Sequence, residues 1–146
     1  MKINDLLLEY SRSRSVIVVD VQPEYSGIMD GDENPVFEEI IQFVNNQTGP
    51  VLMFVNAEDQ GMTGDTVQDI KVYWEDTIRG EEWDPEFKPW MLSDGITINW
   101  TSVAQLKRFN GSYIVGGGRN QCLREVELLM NAFNIKYIRI DSLVYG

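Results

Sequence analysis

The sequence predicts a three-layer, doubly wound α/β domain on a mostly parallel five-stranded sheet, carrying an acidic, tryptophan-rich insertion. Three observations predict it. The β-branched runs at Ser15 to Val21, Val51 to Val55 and Tyr113 to Val115 lack polar alternation, as strands covered on both faces do. Segments of helical apolar spacing alternate with the strands, as in parallel strands joined by helical crossovers. With 146 residues, the chain has the length of one domain.

Each element has its own signal. Ile3, Leu6, Leu7 and Tyr10 recur at helical spacing, with Asn4 and Asp5 placed to cap. The first strand, Ser15 to Val21, is broken by Gln22-Pro23 and Gly27. Asn34 then caps a helix whose first position suits Pro35 and whose apolar face is Val36, Phe37, Ile40, Ile41 and Val44; Gly49-Pro50 ends it. Val51 to Val55 is the second strand. The spacing of Val67, Ile70, Trp74 and Ile78 predicts a helix over Val67 to Arg79, and Gly80 to Pro89 reads as a structured loop. Ile96 to Ile98 is the expected third strand, and Thr101 to Arg108 a short helix stopped at Asn110-Gly111. Tyr113 to Val115 is the fourth strand, running into Gly116, Gly117 and Gly118. Asn120 to Phe133 reads as a long helix and Lys136 to Ile140 as the last strand. Right-handed crossovers limit the topologies, and the expected strand order is 3-2-1-4-5.

Composition narrows the function. Hydrophobic residues at 43% and charged residues at 24% fit a globular chain and argue against disorder. A net charge of −11 disfavours a nucleic-acid-binding surface, which needs a basic face. No run approaches the roughly 20 apolar residues of a membrane helix. The acid excess concentrates in residues 58–94, which hold eleven acids against three bases. Trp74, Trp83 and Trp90 lie in that segment and Trp100 near its edge, so it is the expected place for a contact between copies in a homo-oligomer. The run from Asp30 to Asn34 lacks the glycine placement and closing glutamate of a calcium loop and reads as solvated. A single cysteine excludes an intrachain disulfide and a Cys-rich zinc site. The absence of histidine excludes Ser-His-Asp and Cys-His machinery and His-ligated metal within one chain. Neither metal nor cofactor is expected. The opening residues show no small-residue cleavage site, and with one free thiol the expected location is the cytoplasm.

The chemistry is placed by the topology. Open α/β sheets bind ligands beyond the carboxyl ends of their strands, where the strand order reverses. In the order 3-2-1-4-5 that crevice lies between the first and fourth strands. Asp20 and Gln22 leave the first; Gly117, Gly118, Arg119, Asn120, Gln121 and Cys122 leave the fourth. A glycine turn entering a helix gathers free N–H groups at the positive end of the helix dipole, which suits anions. A cysteine in the first helical turn is pulled toward thiolate there. Plainer readings stand beside these. Cys122, Val126, Leu129 and Phe133 share one helical stripe, on which a cysteine serves as a small buried hydrophobe. Asp20 can cap a loop, Arg119 can be a solvated charge, and the tryptophans can be packing.

Two stretches resemble the isochorismatase-like cysteine hydrolases, which include the nicotinamidases. VIVVDVQPEY, with Asp20 at its strand end, resembles their first motif. YIVGGGRNQCLREVELLMNAFNIKYIRIDSL resembles their nucleophile unit of strand, glycine, cysteine in the first helical turn, helix, strand and aspartate, with Asp141 at the final place. The resemblance covers residues 15–56 and 96–142. It implies a cysteine hydrolase acting on an amide or related bond of a small molecule, without a redox cofactor. Cys122 is then the nucleophile and Asp20 the base. The family's triad also has a lysine, and Asn99 stands in its place. Candidate catalytic residues are therefore Cys122, Asp20 and Asn99. Candidate substrate-binding residues are Gln22, Gly117, Gly118, Arg119, Asn120 and Trp100. Two other classes remain open: a small-anion-binding relative that has lost catalysis, and an interaction protein using the acidic segment on the same scaffold.

Overall fold

A computed structural model describes residues 10–23, 35–55, 66–79 and 100–146. The elements in chain order are β1 (Val16–Val19), α1 (Pro35–Asn45), β2 (Val51–Val55), β3 (Asp76–Arg79), α2 (Trp100–Lys107), β4 (Ser112–Gly116), α3 (Cys122–Ala132) and β5 (Tyr137–Val144). The strands form one sheet in the order β3-β2-β1-β4-β5, and every neighbouring pair is parallel. The expected order and the doubly wound α/β class are therefore observed.

The alternation of side chains along β1 builds the layers. Val16 and Val18 join Phe37, Ile40, Ile41 and Val44 of α1 in one buried cluster. Ile17 and Val19 point the other way and meet Val103 and Leu106 of α2 and Leu123, Val126, Leu129 and Met130 of α3 in a second. Helices thus cover both faces, which is why β1 and β2 are apolar at every position and buried throughout.

One expectation is corrected. Val67 to Arg79 is not a helix: a turn at 68–69 precedes β3 at Asp76–Arg79. The helical stripe is divided instead, with Val67 and Ile70 in the first cluster and Ile78 in the second. The open edge of β2 decides the matter, because its backbone groups need partners. Leu52 to Val55 find them in Asp76 to Arg79, and Asp76 Oδ1 accepts the Thr77 N–H at 2.8 Å. The third strand of the sheet is therefore this segment, inside the 58–94 stretch. Ile96 to Ile98 and the loop over Gly80 to Pro89 lie outside the described residues, as does the expected opening helix from Ile3 up to Tyr10, where the description begins with a bend. Two boundaries also move: α3 begins at Cys122 and not Asn120, and β5 continues through Asp141 and Ser142 to Val144. No helix among the described residues is long and apolar enough to cross a membrane.

The topology fixes the place of interest. From β1 the chain winds through α1 to β2 and β3, then returns through α2 to β4 on the other side of β1. The strand order reverses between β1 and β4, and the carboxyl ends of those two strands frame a crevice.

Candidate active site

At the end of β1 the backbone departs from extended geometry. Asp20 has φ of 53°, the left-handed region that few residues other than glycine enter, aspartate and asparagine most readily among them. Its amide donates to the Phe54 carbonyl of β2 at 2.9 Å. Its carbonyl accepts a hydrogen bond from the Tyr145 hydroxyl. The residue is only 4% exposed, so the carboxyl group has left water.

At the end of β4 the glycines do separate tasks. Gly116 has φ of 115°, and a Cβ there would overlap the Val19 carbonyl oxygen. The Gly117 amide donates to that same carbonyl at 2.9 Å. A Cβ on Gly117 would overlap the ring of Tyr145, which lies against it. The Gly117–Gly118 peptide bond is cis. The Gly118 carbonyl accepts from the amides of Gln121 and Leu123, both at 3.1 Å, and this turn delivers the chain into α3. Gln121 precedes the helix without a side-chain cap.

Cys122, the first residue of α3, is half-buried against the second apolar cluster, and its thiol is hydrogen-bonded to the Asp20 carboxyl group. Burial pushes the Asp20 carboxyl up to about 7, and the Cys122 hydrogen bond works in the opposite sense without cancelling it. The pair opens on a cleft of about 350 Å³ walled by Asp20, Gly118, Arg119, Asn120, Gln121, Cys122, Tyr145 and Gly146. A carboxyl group that titrates near neutrality in contact with a thiol can exchange a proton with it at physiological pH.

The candidate residues divide accordingly. Asp20, Cys122, Gly118, Arg119 and Asn120 meet in the cleft. Gly117 lies behind it, under Tyr145. Arg119 is in the wall, but its side chain turns to β5. Its Nη2 donates to the Val144 carbonyl at 2.8 Å, and its Nη1 is 3.9 Å from the Asp141 carboxylate. Asp141 in turn meets Arg139 at 2.8 Å, and Arg139 meets the buried Glu127 at 3.1 Å. Gln22 is fully buried and absent from the wall, because the chain leaving Asp20 turns inward. Trp100 stands apart from the cleft. It is 61% exposed at the start of α2, with its ring edge-on to Phe133 at 5.7 Å. Asn99 lies outside the described residues. Among the described residues, no group of three or more acidic or cysteine side chains is arranged to hold a metal ion.

Sequence reasoning missed Tyr145 and Gly146. Tyr145 follows Leu143 and Val144 and reads as the end of an apolar strand. Only the fold brings its hydroxyl to Asp20, 125 positions away.

Comparison with known proteins agrees with the architecture. No protein-family model matches the chain, and no curated protein matches it. Solved structures do match. An isochorismatase-like hydrolase from Alkaliphilus metalliredigens superposes with a TM-score of 0.62 at 12% identity, over 92% of this chain and 75% of that one. An N-carbamoylsarcosine amidase from Thermoplasma acidophilum superposes with a TM-score of 0.58 at 14% identity, over 92% of this chain and 84% of that one. The chain thus has the α/β fold seen in isochorismatase-like hydrolases. At these identities the likeness concerns the fold, and function has to be argued from the site.

Proposed function

We propose that this chain is a cysteine-dependent hydrolase of an amide or related bond in a small molecule, with Cys122 as nucleophile and Asp20 as base. The observation that carries the reading is the hydrogen bond between the Asp20 carboxyl and the Cys122 thiol at the mouth of a cleft. The ionised Asp20 takes the thiol proton, and the sulfur attacks the substrate carbonyl carbon, forming an S–C bond and an oxyanion. The amide N–H groups of Gly118 and Asn120 have no hydrogen-bond partner among the described residues, and both residues line the cleft. They are the proposed oxyanion donors; Arg119 and Gln121 have their amides engaged by Tyr145 and Gly118. Collapse of the adduct breaks the C–N bond, and the departing nitrogen receives the proton held on Asp20. Asp20 then takes a proton from water as it attacks the thioester. The C–S bond breaks, the acid leaves and the thiol is restored.

A second reading has one observation in its favour: Asn99 stands where the resembling family has lysine, which suits a small-anion binder without turnover. Both readings are tested by incubating the protein with small primary amides and N-carbamoyl amino acids, the latter chosen from the name of the amidase neighbour. Release of ammonia that vanishes in Cys122→Ser and in Asp20→Asn supports the hydrolase. Thermal stabilisation by the same compounds without ammonia release supports the binder and refutes the hydrolase.

A further inference from the structure

We propose that Tyr145 is a positioning residue: its hydroxyl, by donating to the Asp20 main-chain carbonyl, holds the Asp20 carboxyl group on the Cys122 thiol. This rests on the reading of Cys122 and Asp20 as nucleophile and base.

Asp20 needs such a hold. A left-handed backbone is unfavourable for a residue with a Cβ and persists only where its surroundings fix it. Its two peptide groups are fastened on opposite sides. The amide is tied to Phe54 of β2, which belongs to the sheet. The carbonyl is tied to Tyr145. Loss of the second tie removes one of these two fastenings, and a shift of the Asp20–Val21 peptide moves the carboxyl group off the sulfur.

Tyr145 is itself rigidly held, and by the thiol's side of the site. Its amide donates to the Gly116 carbonyl at 2.9 Å, and its carbonyl accepts the Arg119 amide at 3.0 Å. The Arg119 guanidinium clasps the preceding carbonyl, of Val144. The ring lies on Gly117 and meets the Phe37 ring at 4.9 Å between centroids. One buried side chain therefore touches the loop that delivers Cys122 and, through its hydroxyl, the peptide that aims Asp20. It sets the spacing between the two reacting groups. The absence of a side chain at Gly117 gives the ring its place.

The test is the pH profile of Cys122 alkylation by iodoacetamide, in which the sulfur displaces iodide. The single cysteine makes the labelling specific. A coupled acid–thiol pair loses its protons in two macroscopic steps, so the wild-type profile rises in two steps, whereas an isolated thiol gives one, near the free value of about 8.5. Asp20→Asn must give one step; if the wild type also gives one, the nucleophile-and-base reading fails and this inference with it. Tyr145→Phe keeps the ring and removes the hydroxyl. The expected result is loss of the lower step, with labelling at neutral pH reduced on the order of ten-fold or more, the scale on which misplacement of a reacting group acts. A two-step wild-type profile retained in Tyr145→Phe overturns the positioning role and leaves the pair's chemistry standing. The charges around the pair, Arg119 in the wall and Asp141, Arg139 and Glu127 behind it, are untouched by this change, so a lost step is not a charge effect. Phe37→Leu loosens the ring without touching the hydroxyl and is expected to keep both steps; if it loses the lower one equally, packing is responsible and the inference falls. Should Tyr145→Phe not fold, 4-fluorophenylalanine placed at position 145, which keeps the ring and nearly the full bulk but has no proton to donate, takes its place, and its profile decides in the same two senses.

Discussion

Replacing Asp20 by asparagine should make the protein more stable, by an amount that depends on pH in a defined way. The unfolded chain carries this carboxyl group at its ordinary value of 3.8, whereas burial lifts it to about 7 in the fold. Between those values the folded state holds a proton that the unfolded state has released. Stability therefore falls as pH rises across that window, by about 1.4 kcal/mol per pH unit. The contribution is fully present below pH 3.8 and lost above about 7. The gap corresponds to about 4 kcal/mol, a large share of the 5–15 kcal/mol that typically holds a domain folded. Asparagine keeps the shape, tolerates the left-handed backbone and cannot ionise, so the variant lacks this slope. Urea unfolding of both proteins at half-unit steps from pH 4 to 7.5 measures the difference, in which the other carboxylates cancel. The advantage of Asp20→Asn should grow through the window and level off near pH 7. A difference that does not change with pH would refute the claim that Asp20 is buried with a raised titration point.

Three further substitutions have outcomes that follow from the geometry. Gly116→Ala puts a Cβ on the Val19 carbonyl at a positive φ and should cost at least about 1–3 kcal/mol in thermal or urea unfolding. Glu127→Gln weakens the pairing of a buried carboxylate with Arg139 and should cost about 1–3 kcal/mol. The same change should lower the titration of the Tyr137 phenol, which burial first and the Glu127 carboxylate second hold above its usual range; tyrosine NMR at alkaline pH reads it. Trp100→Ala should leave the Cys122 alkylation profile unchanged while costing about 0.5–1.5 kcal/mol through the lost edge contact with Phe133.

The strand order and the meeting of Asp20 with Cys122 were legible for one physical reason. Strands buried on both faces must be apolar throughout, and the β-branched runs at 16–19, 51–55 and 113–115 satisfy that on sequence alone. Once those strands are found, the carboxyl ends of the first and fourth bring the two groups together. β3 was illegible because its four residues, Asp76 to Arg79, carry little hydrophobic signal of their own. Its state is imposed by the edge of β2. The helical stripe from Val67 to Ile78 was real as a spacing but is shared between the two faces of the sheet. Cys122 satisfies both of its readings, since it packs on the α3 core and reaches the cleft. The roles of Gln22 and Trp100 depended on which way the chain turns after a strand, and nothing in local spacing encodes that.

Asp20 combines two features that each work against folding: a left-handed backbone and a buried carboxyl group. Either would be eased by a simple substitution, glycine for the first and asparagine for the second. A strand end needs neither feature to cap a loop, because an exposed aspartate in ordinary geometry does that without strain. The loop-cap reading therefore leaves both costs unexplained. Both acquire a use when the residue's task is to hold a carboxyl group, at the edge of its titration, on a thiol. The surrounding structure is arranged to keep it so. Phe54 and Tyr145 fasten its peptide groups, Gly116 and Gly117 bring the β4 loop close enough for contact, and α3 begins at the thiol. A left-handed backbone and a buried carboxyl group coincide at a residue hydrogen-bonded to the single cysteine in the wall of the cleft, which is the pattern expected where local stability has been traded for chemistry.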